Sequence, residues 1–299
     1  MLRSQFLCSL MMCLALAASA ARAGDDNKAA WLEWRAETES HYAATRLAVL
    51  KAADARYLKA GETVYLAPKP DRSLHFTFEP SRADILQISF DGETAELNRD
   101  GFAFDLSALL AEGARYPVSE RFDLGGGPSQ LGKDTMGFRV ILFDQSRAAA
   151  QTYEGGSWFD FNKDLVVKTK FIPAETMEAR LIETERGLAK QYFLAGTVRI
   201  KSPDGAFDLP LYAATSDPSK IDNLFVSFTD KTTGAETYGV GRYLEFDGFG
   251  AFPPKTLAVD FNRAYNPYCA RSPHYNCPKA LVDLAVALRA GEKAPIEDH

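Results

Sequence analysis

Short apolar or alternating runs, cut by Asp-Gly and Pro-Asp-Gly turns, recur from Thr63 to the end of the chain. Thr63 to Leu66, Leu74 to Phe78 and Ile85 to Phe90 come first, and Asp91-Gly92 and Asp100-Gly101 then read as hairpin turns. Phe138 to Phe143, Leu165 to Phe171, Tyr192 to Lys201 and Phe207 to Ala213 continue the pattern, the last two joined by Pro203-Asp204-Gly205. Leu224 to Phe228, Tyr238 to Phe246, Leu257 to Phe261 and Leu281 to Leu288 complete it. Runs of this length are strands, because a side chain on a pleated strand returns to the same face every second residue. Ala174 to Glu185 fits a helix as well as a strand. Before these runs, Trp31, Trp34, Thr38, Tyr42, Leu47, Leu50 and Leu58 recur at three- or four-residue steps and stop at Gly61, as in a helix from about Asn27 to Ala60 or two helices broken near Ser40. The expected fold is mainly β, with sandwich or barrel-like antiparallel sheets behind an N-terminal helical arm; α+β is the alternative.

The first 23 residues read as a leader. Arg3 precedes an apolar stretch from Phe6 to Ala20 that is short for a bilayer span, and Ala21-Arg22-Ala23 offers a cleavage site, with Ala18-Ser19-Ala20 as a second. The domain expectation is a signal peptide over 1–23, a helical arm over 24–60 and one mainly-β domain over 61–299, with no membrane span after the leader. The location expected is periplasmic or secreted. A formal net charge of −6 argues against nucleic acid as a partner, since no basic stripe faces phosphates. Loss of Arg3 and Arg22 with the leader makes the balance more acidic. Of the four cysteines, Cys8 and Cys13 leave too. Cys269 and Cys277 remain, and an oxidising compartment makes a disulfide the default for them. His274 between them keeps a metal or redox role as the competing reading, although the spacing fits no tetrahedral zinc set.

Several motifs fail on inspection. Gly127 to Lys133 spells G-x-x-x-x-G-K, but Asp134 follows where a phosphate loop needs Ser or Thr. Gly155-Gly156-Ser157 lacks the later glycine of a nucleophile elbow. His41, His75, His274 and His299 make no H-x-x-x-H pair. No metal and no cofactor is implied. Phe143, Thr152, Tyr153, Gly156, Trp158, Asp160 and Phe161 recur without a gap as Phe228, Thr237, Tyr238, Gly241, Tyr243, Glu245 and Phe246. Two half-sheets related by a pseudo-twofold would give that echo, and so would two unrelated aromatic hairpins.

The polar residues concentrate in the C-terminal third. Asp230, Arg242, Asp260, Asn262, Arg263, Tyr265 and Asn266 bring together carboxylates, guanidiniums, amides and a phenol. Arginine forks suit carboxylate or phosphate recognition, so Arg242 and Arg263 are candidate anion clamps, with Asp260, Asn262, Tyr265 and Asn266 beside them. Asp230 or Asp260 as base and Tyr265 as acid would instead serve a hydrolase or lyase. The same Arg–Asp pairs would equally well staple an irregular C-terminus to the sheet. The partner expected is a small polar or anionic ligand; whether the chain is an enzyme, and its oligomeric state, stay open.

The run GRYLEFDGFG, then LAVDFNRAYNPYCARSPHYNCP, then LRAGEK resembles a family of exported or lipid-anchored bacterial proteins known only as a domain of unknown function. The likeness is specific from Phe225 to Lys293. Upstream, Trp31, Trp34-Arg35, Asp144 and Tyr153-Glu154-Gly155-Gly156 fit it more loosely. Tyr268 stands where the family has a second proline, and Lys279-Ala280-Leu281 stands where it has a Pro-rich stretch. The resemblance implies the same Cys269–Cys277 pairing and the same polar segment. It implies no reaction, substrate or cofactor.

Overall fold

A computed structural model describes residues 26–202 and 205–295. The leader over 1–23 with Cys8 and Cys13, Pro203-Asp204 of one expected turn, and His299 lie outside the described residues. The remainder is mainly antiparallel β with an N-terminal helix, as the alternating runs require.

Helix α1 occupies residues 26–39 and continues into a π turn over Ser40–Ala44. The arm expected to reach residue 60 stops well short of that. Strand β1, Ala52–Leu58, pairs antiparallel with β9, Thr135–Asp144. Ala52, Ala55 and Leu58 are its buried residues, a spacing of three that imitates a helix. Residues three apart on a strand face opposite sides, so that spacing means that both faces of β1 are covered. Helix α1 lies against the C-terminal half of the chain. Trp31 Nε1 donates to the Asn262 carbonyl at 2.8 Å, and Glu39 accepts from Trp158 Nε1 at 2.7 Å and from the Gly156 N–H at 3.0 Å.

Three sheets follow. The first has the order β1-β9-β8-β7, with β7 at Tyr116–Pro117 and β8 at Phe122–Gly132. The second is antiparallel, ordered β3-β2-β4-β5-β6: β2 Glu62–Pro68, β3 Leu74–Thr77, β4 Leu86–Phe90, β5 Ala95–Arg99 and β6 Phe102–Asp105. Its β4–β5 and β5–β6 turns fall at the expected Asp-Gly pairs. Asp100 and Gly101 both have positive φ, 53° and 81°, as the tight β5–β6 hairpin demands. The third sheet runs β15-β14-β13-β12-β10-β16 and curls into a half-barrel. Its strands are β10 Val166–Pro173, β12 Ala189–Ser202, β13 Gly205–Ala213, β14 Leu224–Thr229, β15 Arg242–Phe246 and β16 Thr256–Asp260. β11, Ala179–Glu183, pairs with β12, so the ambiguous segment is a strand. β17, Val282–Asp283, adds in parallel to β14, a much shorter strand than Leu281 to Leu288 had promised.

Two cores result. Leu58, Val64, Leu66, Phe76, Ile88, Leu97, Leu124, Phe138, Val140 and Leu142 fill the space between the first two sheets. Phe171, Val198, Leu209, Leu211, Leu224, Val226, Phe228, Leu244, Val259 and Phe261 fill the half-barrel. A third cluster joins them: Ile141 and Phe143 from β9 meet Tyr42, Phe225, Tyr243, Tyr275 and Cys277. The near phosphate-loop motif, Gly127 to Lys133, lies on β8 and in its hairpin to β9, with no helix after it. Nor does the echo describe a repeat. Residues 228–246 run from β14 to β15, whereas 143–161 pass through a short helix, Ala148–Gln151, and a coil with one bridge at Trp158.

The β1–β9 contact is close at Gly137. A Cβ there would stand 2.4 Å from the Leu58 carbonyl oxygen and 2.3 Å from Leu131 Cδ1. Gly137→Ala is therefore expected to cost about 1–3 kcal/mol by overpacking, read as a lower urea midpoint. An unchanged midpoint would mean that β1 moves aside freely.

Candidate functional site

The polar segment that dominates the sequence turns inward. Arg242 is only 1 % exposed. Its Nη2 donates to Asp230 at 2.7 Å and to the Leu288 carbonyl at 3.0 Å, its Nη1 donates to the Ala290 carbonyl, and its guanidinium lies over Phe228. Asp230 also accepts from the Thr232 N–H and hydroxyl. Both terminal nitrogens of this fork are therefore engaged within the fold, and Arg242 fixes the C-terminal strap 288–290 to the half-barrel rather than facing a ligand.

Asp260 and Asn262 do not alternate along a strand as expected, because β16 ends at Asp260 and a 3-10 turn, Phe261–Arg263, follows. Asp260 caps that turn through the Asn262 N–H at 3.0 Å and also accepts from Asn262 Nδ2. Burial raises the Asp260 carboxyl above its ordinary range, against the hydrogen bonds from Asn262. Asn262 exchanges two hydrogen bonds with the backbone of Asn162. Arg263 reaches Asp260 at 3.6 Å and stacks over Trp34. Asn266 is fully buried. Its N–H donates to Glu292 at 2.7 Å and its side chain donates to the Lys293 carbonyl. Glu292 also pairs with Arg271 and accepts from the Tyr42 hydroxyl at 3.0 Å. The sequence reading passed over both Glu292 and Arg271. Of its candidate catalytic and ligand-binding residues, Tyr265 lines the cavity described below.

The cysteines differ from expectation too. Cys269 and Cys277 are adjacent but stand as free thiols, not as a disulfide. Cys269 lies in a 3-10 turn, Tyr268–Ala270, that aims its backbone N–H at Cys277 Sγ, 3.3 Å away, and its thiol also hydrogen-bonds Cys277. That thiol hydrogen bond, with the Cys269 N–H and the charges of Lys190 and Arg139, pushes the Cys277 thiol down against its burial. The Cys269 thiol is pushed up by the same hydrogen bond and by burial.

The cavity has a volume of about 360 Å³ and lies between the half-barrel and β9. Strand alternation selects its walls. On β9, Val140 and Leu142 enter the first core, so Arg139 falls on the opposite face with Ile141 and Phe143. On β14, Leu224, Val226 and Phe228 enter the half-barrel, leaving Phe225 outside. On β15, Leu244 and Phe246 point in while Tyr243 and Glu245 point to the cavity, and on β12 Lys190 and Tyr192 share that face. The loop 268–278 closes it with Tyr268, Tyr275, Asn276 and Cys277. That loop is fastened at its end: the Glu185 N–H donates to the Cys277 carbonyl at 3.0 Å and the Tyr243 hydroxyl to the Pro278 carbonyl at 2.5 Å.

The cations here lack counter-charges, in contrast to Arg242 and Arg271 of the C-terminal segment. Neither Arg139 nor Lys190 forms an ion pair among the described residues. Arg139 lies over the Tyr275 ring and its Nε has no hydrogen-bond partner. Burial and the nearby Arg139 charge push the Lys190 ammonium down. Asn276 is 5 % exposed, and neither its Oδ1 nor its Nδ2 has a partner. Buried polar atoms of that kind are rare in folded proteins and mark strain or a binding role. Glu245, raised by burial, is hydrogen-bonded by Tyr265 and acts on the tyrosines rather than on the two cations. No group of three or more His, Cys, Asp or Glu suited to a metal occurs among the described residues. The signal for Arg139 was in the sequence, a lone charge inside the apolar run Phe138 to Phe143. Lys190 and Asn276 carried none.

Residues 151–293 match the model of a family described as "Protein of unknown function (DUF1684)". They form a domain of that family. The half-barrel, the C-terminal strap and all of the cavity wall except Arg139 lie within it. An uncharacterized protein of Haloarcula marismortui, solved in solution by NMR, is similar at 31% identity over 48% of this chain and 78% of that one, with a TM-score of 0.40. Comparison with curated proteins found no match. Within the domain, the Arg242–Asp230 pair predicts a clear stability effect. Asp230→Ala leaves the guanidinium buried without its counter-charge and is expected to cost about 3–5 kcal/mol. Asp230→Ala combined with Arg242→Met should recover part of that loss in the same urea titration.

Proposed function

We propose that this chain binds a small anionic molecule, with its negative group between Arg139 and Lys190 and its body against Tyr192, Phe225, Tyr268 and Tyr275. The observation that carries the reading is the gathering of two unpaired cations and one wholly unpartnered buried amide on one cavity. An anion seated there supplies the counter-charge, and Asn276 can both donate to and accept from it. A cavity of about 360 Å³ falls within the size range of small-molecule sites. Tyrosine rings add flat apolar area with polar edges, which favours a planar or aromatic body. The ligand-binding expectation is kept, and its clamps move from Arg242 and Arg263 to Arg139 and Lys190. We further infer that the protein works outside the cytoplasm, on the leader composition of residues 1–23. No helix among the described residues is long and apolar enough to cross a membrane.

The test is a thermal-shift series with phosphate, 4-hydroxybenzoate and neutral benzamide. The two anions are expected to raise Tm, and 4-hydroxybenzoate to raise it more; benzamide should leave it unchanged. A ligand at a hundred times its Kd adds about 2.7 kcal/mol. Arg139→Gln and Lys190→Met should each abolish the shift. Equal shifts in wild type and variants would overturn the assignment.

A second outcome concerns the free protein. Removing a half-buried charge that lacks a partner relieves its desolvation, so Lys190→Met should raise the ligand-free Tm by a few degrees, roughly what 1 kcal/mol gives. A lower Tm would make Lys190 a structural residue.

A further inference from the structure

The same cavity contains a thiol that ligand binding alone does not use. Cys277 lines it beside Arg139 and Lys190, 7 % exposed, and accepts the Cys269 N–H at 3.3 Å. Asn276, the unpartnered amide, immediately precedes it. The nucleophilic form of a cysteine is the thiolate, and thiolates are favoured by hydrogen-bond donors and nearby cations. Here a backbone N–H, a second thiol and two cations surround one sulfur, and their combined effect is to push the Cys277 thiol down.

We propose that Cys277 is a nucleophile toward small anionic electrophiles, with Arg139 and Lys190 holding the anionic group while the sulfur attacks. The proposal rests on the anion-binding reading and adds a covalent step to it. With iodoacetate as the probe, the Cys277 sulfur forms a bond to the methylene carbon, the carbon–iodine bond breaks, and iodide leaves with the electron pair. The product is a carboxymethyl thioether whose carboxylate stays between the two cations. Cys269 keeps its proton and serves as a donor.

The reagents for the test differ mainly in charge. Fully reduced protein is treated with iodoacetate or with neutral iodoacetamide, and the rate at each cysteine is followed by peptide mass mapping. The same protein in urea gives the reference ratio of the two rates. A cleft lined by charges of one sign concentrates the opposite charge by an order of magnitude or more. In the native protein the iodoacetate-to-iodoacetamide ratio at Cys277 is therefore expected to exceed the urea ratio by at least about tenfold. Arg139→Gln and Lys190→Met should return it toward the urea value. Modification chiefly at Cys269, or of neither cysteine, overturns the proposal. If anions still raise Tm through Arg139 and Lys190, anion binding stands without the nucleophile. Rapid labelling of Cys277 with no preference for the anionic reagent, together with no anion-dependent Tm shift, removes the anion site as well as the proposal.

Discussion

Strand β9 is buried on both faces, and the arrangement of the molecule depends on it. One face of Phe138 to Phe143 completes the core of the first two sheets and the other closes against the half-barrel. A strand between two packed layers has no solvated side, so Phe138 to Phe143 is apolar but for Arg139 and its register is strongly fixed. Slipping β9 by one position would drive Arg139 into the first core and expose Val140 to the cavity. The same constraint covers both faces of β1, which explains the Gly137 contact with the Leu58 carbonyl. The cavity follows from that packing: two curved sheets that meet along one strand do not fill the space at their junction, and large tyrosines bridge it only partly.

Charge is handled in two ways across that junction. On the C-terminal side, Arg242 with Asp230 and Arg271 with Glu292 are buried as pairs, and carbonyls, an amide N–H and the Tyr42 hydroxyl take further bonds from Arg242 and to Glu292. Such pairs contribute little net stability, but they fix geometry, since losing one partner strands the other. On the cavity side the pattern reverses, and Arg139 and Lys190 repel one another with no carboxylate between them. Like charges placed together are destabilising unless something else brings the counter-charge. The two arrangements are connected: the pairs hold the strap and the loop 268–278, and that loop carries Asn276 and Cys277 to the cations.

Much of the fold was legible in the sequence because it rests on alternation and turns, which are local. In the sheet of β2 to β6, the runs of β2, β3 and β4 and the turns at Asp91-Gly92 and Asp100-Gly101 could be read directly. β1 was misread as helix for the same reason that β9 is informative, since burial on two faces replaces the two-residue rhythm with another. The site was far less legible. Arg242, Asp230, Asn262 and Asn266 attract notice because they are polar and crowded, yet they hydrogen-bond to groups of the fold itself rather than facing a cavity. Arg139, Lys190 and Asn276 come from three distant parts of the chain and meet only through tertiary packing.

What separates a site from a staple in this protein is the count of partners, not the chemistry of the groups. Arg242 and Arg139 are the same side chain, each on a strand, each beside an aromatic ring. Arg242 has a carboxylate and two carbonyls; Arg139 has no counter-ion and a bare Nε. Folding has already satisfied the first, so an incoming anion would gain little there and would have to displace Asp230. The second, whose side-chain partner is the Tyr57 hydroxyl, would gain a charge-assisted hydrogen bond at its bare Nε without displacing a counter-ion, which is the condition under which binding energy appears as affinity. The same comparison applies to the sulfurs. Cys269 is not part of the cavity wall and acts as a donor, while Cys277 accepts from it and borders the cavity, so reactivity is expected at the thiol whose surroundings are incomplete until something enters.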